Sequence, residues 1–176
     1  MLILVTGPIG AVKTELSYGL LKVFNQMVIL NGEWFAAMQP FSWDKKSDVA
    51  TVYQSLALMI QFHEKLGKTR FVLILNYQMA IQIKEFLPML NPKQMPVRAF
   101  RLRCSDDQLQ HRSQLSNLEN KNTDMVNLVR QQKLFDGAFL TNIPFMVVDV
   151  THLNEQETVR RVRTMINEYD KLLKVA

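Results

Sequence analysis

A chain of 176 residues, 48% of them hydrophobic and 21% charged, is long enough for one domain with a sizeable core, and that balance argues against both intrinsic disorder and a membrane protein. No apolar run approaches the roughly 20 residues of a spanning helix, Met1 leads into an apolar stretch with no basic leader or cleavage site, and the lone Cys104 cannot form an internal disulfide; the expectation is a cytoplasmic protein. The net charge of +5 suits a phosphate-bearing ligand, and the spread of the basic residues, outside clusters at Arg98, Arg101 and Arg103 and at Arg160, Arg161 and Arg163, favours a nucleotide over nucleic acid.

Leu2 to Thr6 is an apolar run ending at a glycine, followed by Leu16, Leu20 and Val23 at helical spacing within Thr14 to Phe24, which reads as strand, loop, helix. Met27 to Leu30, closed by Asn31-Gly32, and Phe71 to Leu75 have the length of buried strands. Between them Tyr53, Leu56, Ile60 and His63 share one helical face, after an irregular Gln39 to Ser47 segment. Ile81 to Leu90 is expected to be a short helix stopped by Pro88 and the Asn91-Pro92 break, and Val97 to Cys104 a strand. Asp106-Asp107 suits a helix start, Ser113 to Thr123 interrupts the apolar pattern as a flap would, and Met125 to Leu134 reads as helix. Phe145 to Val150 is a last strand, before a long helix over Asn154 to Leu173 that Asn154 and Glu157 start as a capping box. Alternating strands and helices imply a three-layer α/β/α sandwich on a five-stranded parallel sheet, one domain over residues 1–176, with ligands at the carboxyl ends of the strands.

The segment Gly7-Pro8-Ile9-Gly10-Ala11-Val12-Lys13-Thr14 carries the chemistry. A turn between a strand and a helix presents backbone N–H groups at the positive end of the helix, where a phosphate is stabilised. Lys13 adds a mobile cation, and the Thr14 hydroxyl is placed for a magnesium ion bridging nucleotide phosphates.

This segment resembles the Walker A motif of P-loop kinases, a glycine, four residues, then Gly-Lys-Ser/Thr, and implies the P-loop nucleoside triphosphate hydrolase fold with ATP and Mg²⁺ as cofactors. Val147-Val148-Asp149-Val150-Thr151 followed by Asn154-Glu155-Gln156-Glu157 is similar to the last strand and helix of small-molecule and nucleoside monophosphate kinases, a region that borders the adenine in that group. The resemblance also implies a lid over 113–123 with Arg112 as its arginine and Arg130 as a replacement for a second one. It places Glu33, after the second strand, as general base toward an acceptor held by residues 32–55. Lys13, Glu33 and Arg112 are thus the candidate catalytic residues, Gly7 to Thr14 the nucleotide cradle, and Thr14 the metal ligand.

Two positions depart from the family pattern. Val12 stands where the family has glycine before the lysine; in the family geometry a β-branched residue there would carry strain of about 1–3 kcal/mol, enough to weaken binding roughly ten- to hundredfold. Asn76 stands at the end of the third strand, where many P-loop proteins have an aspartate. Arg101 and Arg103 share a strand face, which suits either an exposed strand end or an anion. Asp44 and Asp48, near Trp43, suit an acceptor pocket or a solvated loop equally. His63 reads as a core or boundary residue, and His111 and His152 have no partner at metal-ligand spacing.

Three functions follow: a kinase for a small molecule or nucleotide, a non-catalytic nucleotide-binding relative of such kinases, and, as a lesser alternative, a nucleic-acid end kinase or binder. The identity of the acceptor and the oligomeric state have no signature in the sequence.

Overall fold

Five strands of near-continuous apolar sequence form the centre of the computed structural model, which describes residues 1–8, 10–115, 133–134 and 143–172. In chain order they are β1 (Leu2–Thr6), β2 (Met27–Asn31), β3 (Arg70–Leu75), β4 (Val97–Arg103) and β5 (Met146–Asp149). All pairings are parallel, in the order β2-β3-β1-β4-β5, so β1 is central and hydrogen-bonds to β3 and β4. Every residue of β1 is buried, as expected of a strand covered on both faces.

Period-two alternation divides the core. Leu2 and Leu4 join Phe71, Leu73 and Leu75 beneath α2 (Lys46–Lys65) and α3 (Tyr77–Leu90). Ile3, Val5, Val72 and Phe100 face the other way, against α1 (Lys13–Val23), Leu109 of α4 (Asp106–Leu115) and α5 (Glu155–Leu172). Each fully buried Leu or Phe in these layers contributes about 2 kcal/mol relative to exposure. Tyr53 locks α2 to α3: its ring stacks on Phe86 at 4.4 Å and its hydroxyl donates to the Met79 carbonyl at 2.7 Å. Tyr53, Leu56 and Ile60 are buried as their spacing predicts, and His63 lies half-buried at the boundary.

The third helix departs from the sequence expectation at its start and ends where expected, at Leu90 before Asn91-Pro92. It starts at Tyr77 rather than Ile81, because Asn76 caps it by accepting the Met79 N–H at 3.0 Å. Lying in the last turn, Pro88 forfeits one helical hydrogen bond, and the helix runs on to Leu90 before Asn91 N–H closes on the Leu87 carbonyl at 2.9 Å. The capping box of α5 is present: the Asn154 side chain accepts the Glu157 N–H and the Glu157 carboxylate accepts the Asn154 N–H, both at 2.9 Å. Among the described residues no helix is long and apolar enough to cross a membrane.

Parallel strands point their carboxyl ends to one edge. The segments after β1, β2, β3, β4 and β5 therefore converge there, and each contributes to the site below.

Candidate phosphate-binding site

The β1–α1 connection leaves the sheet at Gly7, whose φ of 153° and close approach to β4 require glycine: a Cβ there would lie 2.8 Å from the Leu102 carbonyl oxygen. Gly10 turns the loop with φ 80°. Val12 then takes φ 52° and ψ 32°, a left-handed conformation that favours glycine and that a β-branched residue rarely adopts. The backbone keeps the course a glycine would give it, and the strain expected at Val12 resides in the native loop. Ile9, the other cradle position, lies outside the described residues.

Val12 is also the N-cap of α1, and no side chain caps that helix, whereas α3 and α5 are capped by Asn76 and Asn154. The first N–H groups of α1 thus keep their donors for an anion at the positive end of the helix.

Lys13 folds back over this loop, its ammonium donating to the Gly7 carbonyl at 2.8 Å and the Pro8 carbonyl at 2.9 Å. Burial lowers its pKa to about 8, against the upward pull of the Glu33 and Glu15 carboxylates. Ser17 Oγ donates to the Lys13 carbonyl at 2.8 Å, holding the first turn. Thr14 is exposed beside Lys13, its side chain on the solvent side of that turn.

Glu33 sits in a 3₁₀ turn (Gly32–Ala36) directly after β2, where Asn31 Oδ1 accepts its N–H at 3.0 Å. It is exposed, and its carboxylate pulls the Lys13 pKa upward against the effect of burial. Asp48 accepts the Ser42 N–H at 2.9 Å and so braces the loop ahead of α2; Asp44 is exposed. Half-buried Phe35, Phe41, Trp43 and Tyr77 pack against the core on this side.

Arg112 is anchored. Its Nη2 donates to the carbonyls of Val150 at 2.9 Å and Leu153 at 3.2 Å, and its Nη1 approaches Cys104 Sγ at 3.6 Å. Its Cβ lies 3.9 Å from the point where a Cβ on Gly10 would sit, which sets α4 against the loop. Ser105 N–H donates to Thr151 Oγ1 at 3.0 Å, so the segments after β4 and β5 are joined twice. The Thr151 side chain and backbone hold the Asp149 carboxyl below its ordinary range, and burial pushes the Cys104 thiol up. This cross-brace from Arg112 and Thr151 had no signal in the sequence beyond an arginine directly before a polar stretch. In β4 the side chain of Arg101 is half-buried, paired in register with Thr6 and Val147, and Arg103 is exposed, opposite Asp149. Arg130 and most of the expected lid, 116–123, lie outside the described residues.

The residues present fit a nucleotide polyphosphate: uncapped helix N–H groups, two glycines at positive φ, a half-buried ammonium and a hydroxyl one residue on. Among the described residues no three His, Cys, Asp or Glu side chains come together to hold a metal ion. A magnesium ion needs little more than Thr14 and phosphate oxygens, since it keeps several waters and takes few protein ligands.

Strand order, parallel pairing and the loop between β1 and α1 define a P-loop kinase-like fold of the nucleoside-monophosphate-kinase type. No protein-family model matches the sequence, and no curated protein matches it. Solved structures match over nearly the whole chain. The tunicamycin resistance protein of Deinococcus radiodurans is similar with a TM-score of 0.67 and 11% identity, over 94% of this chain and 95% of that one. A sugar kinase from Janibacter sp. HTCC2649 has a TM-score of 0.64 and 14% identity, over 94% of each chain. Shikimate kinase from Bacteroides thetaiotaomicron has a TM-score of 0.64 and 14% identity, over 95% of this chain and 98% of that one. At such identities the property shared is the fold.

Proposed function

We propose that this protein is an ATP-dependent phosphotransferase acting on a small hydroxyl- or phosphate-bearing acceptor. The observation that carries the reading is Lys13, a half-buried ammonium held over Gly7 and Pro8 at the mouth of an uncapped helix, with the Glu33 carboxylate acting on it. Two backbone carbonyls hold the ammonium where phosphate oxygens would otherwise draw it, so the charge is in place before ligand arrives. Gly7 to Thr14 would cradle the phosphates, and Thr14 would hold Mg²⁺, which supplies charge neutralisation across the phosphates. Glu33, exposed at the end of β2, would accept the proton of an acceptor hydroxyl lying over residues 32–55. Arg112 would brace the nucleotide side through Val150 and Leu153, and it meets developing charge by exchanging those carbonyls for phosphate oxygens. Residues 113–123 are assigned to the lid. The chain would act as one domain in the cytoplasm.

The second reading is a non-catalytic nucleotide binder. It is favoured by the left-handed Val12 and by Asn76, whose side chain is committed to capping α3. Incubation with Mg-ATP and a panel of sugars, hydroxy acids and nucleosides, monitored for ADP, separates the two. Turnover lost in Lys13→Ala supports the kinase; micromolar ATP binding by calorimetry with no turnover on any acceptor supports the binder.

A further inference from the structure

A cavity lies away from the β1–α1 loop, along the line where α1 and α5 meet. The two helices touch at Gly19 and Val159 so closely that a Cβ on Gly19 would overlap Val159 Cγ2. Beside this crossing the surface opens into a cavity of about 450 Å³, walled by Lys22 and Val23 from α1 and by Glu155, Gln156, Arg160 and Arg163 from α5. On α1, Gly19, Lys22 and Val23 share one face; on α5, Val159, Arg160 and Arg163 do the same. Gly19 lies six residues beyond Lys13, about 9 Å further along the helix.

The lining sorts by chemistry. Gly19, Val23 and Val159 form an apolar floor, and Lys22, Arg160 and Arg163 form a rim of three cations against the single carboxylate of Glu155. The two positive charges left over match a phosphate monoester in its dianionic form. The cavity is larger than phosphate alone fills and falls within the size range of small-molecule pockets, roughly 300–1,000 Å³. Arginine forks suit phosphate oxygens because they donate two parallel hydrogen bonds. We infer that the α1–α5 groove binds a small phosphate monoester with an apolar body, the body lying on Val23 and Val159 and the phosphate between Lys22, Arg160 and Arg163.

Calorimetry of the full chain with phenyl phosphate, run beside inorganic phosphate and benzyl alcohol, tests this. Saturable binding that persists in Lys13→Ala is expected, tighter for phenyl phosphate than for either half by roughly tenfold or more, because floor and rim act together. Arg160→Ala and Arg163→Ala should each weaken it by roughly tenfold, the loss of one charge-assisted contact. Lys13→Ala should leave it unchanged. Both arginines are exposed, so their removal should leave thermal unfolding in place, and Lys22→Glu provides an independent variant on the other helix. Equal affinity for phenyl phosphate and inorganic phosphate overturns the role of the floor. Binding that survives all three rim substitutions, or that disappears with Lys13→Ala, overturns the site.

Discussion

The Lys13 ammonium lies 2.8 Å from the Gly7 carbonyl oxygen, so the cation of the loop is tethered to the residue where the loop begins. Burial brings its pKa to about 8, and Glu33 works against that fall. Because the ordinary value is higher, the folded protein releases this proton before the unfolded chain does. Across that window the unfolded chain binds more protons, so stability rises with pH. Nucleotide affinity should run the opposite way, falling as pH climbs through about 8 and the ammonium is lost. Removing the Glu33 charge with Glu33→Gln should move the midpoint of that fall to lower pH. Calorimetric titration with ADP from neutral to alkaline pH reads both; a midpoint unmoved by Glu33→Gln would separate the two residues.

Val12 carries backbone strain at φ 52°. A β-branched residue pays roughly 1–2 kcal/mol in that region, and glycine pays for its freedom only in the unfolded chain. Val12→Gly should therefore stabilise the fold by about 1 kcal/mol, a rise in Tm of roughly 2–4 °C for a chain of this size. It should also tighten ATP binding. A lower Tm in differential scanning calorimetry would mean that Val12 packing outweighs its strain.

Asn76 caps α3 by accepting the Met79 N–H at 3.0 Å. Asn76→Ala should cost about 1 kcal/mol in urea unfolding, the usual loss of an N-cap. Asn76→Asp should keep the cap, since a carboxylate accepts the Met79 N–H equally well, and should make ATP binding more dependent on Mg²⁺. If Asn76→Asp leaves the Mg²⁺ dependence unaltered, position 76 is structural alone.

Arg112 donates to Val150 and Leu153 from one nitrogen. Its second nitrogen, Nη1, reaches Cys104 Sγ at the same time, and a shorter lysine with one nitrogen cannot hold all three contacts, so Arg112→Lys should lower stability by about 1–2 kcal/mol. The urea midpoint should shift while the slope stays constant, as expected of a local loss of hydrogen bonds. An unshifted midpoint would show that water replaces the guanidinium at no cost.

Much of this protein is legible in the order of its residues. A buried strand announces itself through a run such as Leu2 to Thr6, and a helix through the spacing of Leu16 and Leu20, because burial on two faces and on one face impose different periods. Gly7, Lys13 and Thr14 mark the loop for the same local reason: phosphate chemistry needs a turn, a cation and a hydroxyl in fixed succession. Glu33 was legible as a carboxylate after β2, but its pull on Lys13 arises only when parallel pairing brings the end of β2 to the same edge as the end of β1. The tether of Arg112 joins residues 38 and 41 positions apart, and no local pattern encodes such a contact. The end of α3 at Leu90 was legible from Pro88 and Asn91-Pro92, whereas its start at Tyr77 was not, because the Asn76 cap that sets it is a single side-chain contact. By itself the sequence determined the five strands, their alternation with helices and the chemistry of the first loop, since these depend on neighbours along the chain, while the helix expected over Met125 to Leu134 lies outside the described residues but for 133–134. Tertiary structure alone decided that Val12 would stay left-handed, that Lys13 would lose its proton early, and that α1 and α5 would enclose a second cationic groove, because each depends on what the fold packs against those residues.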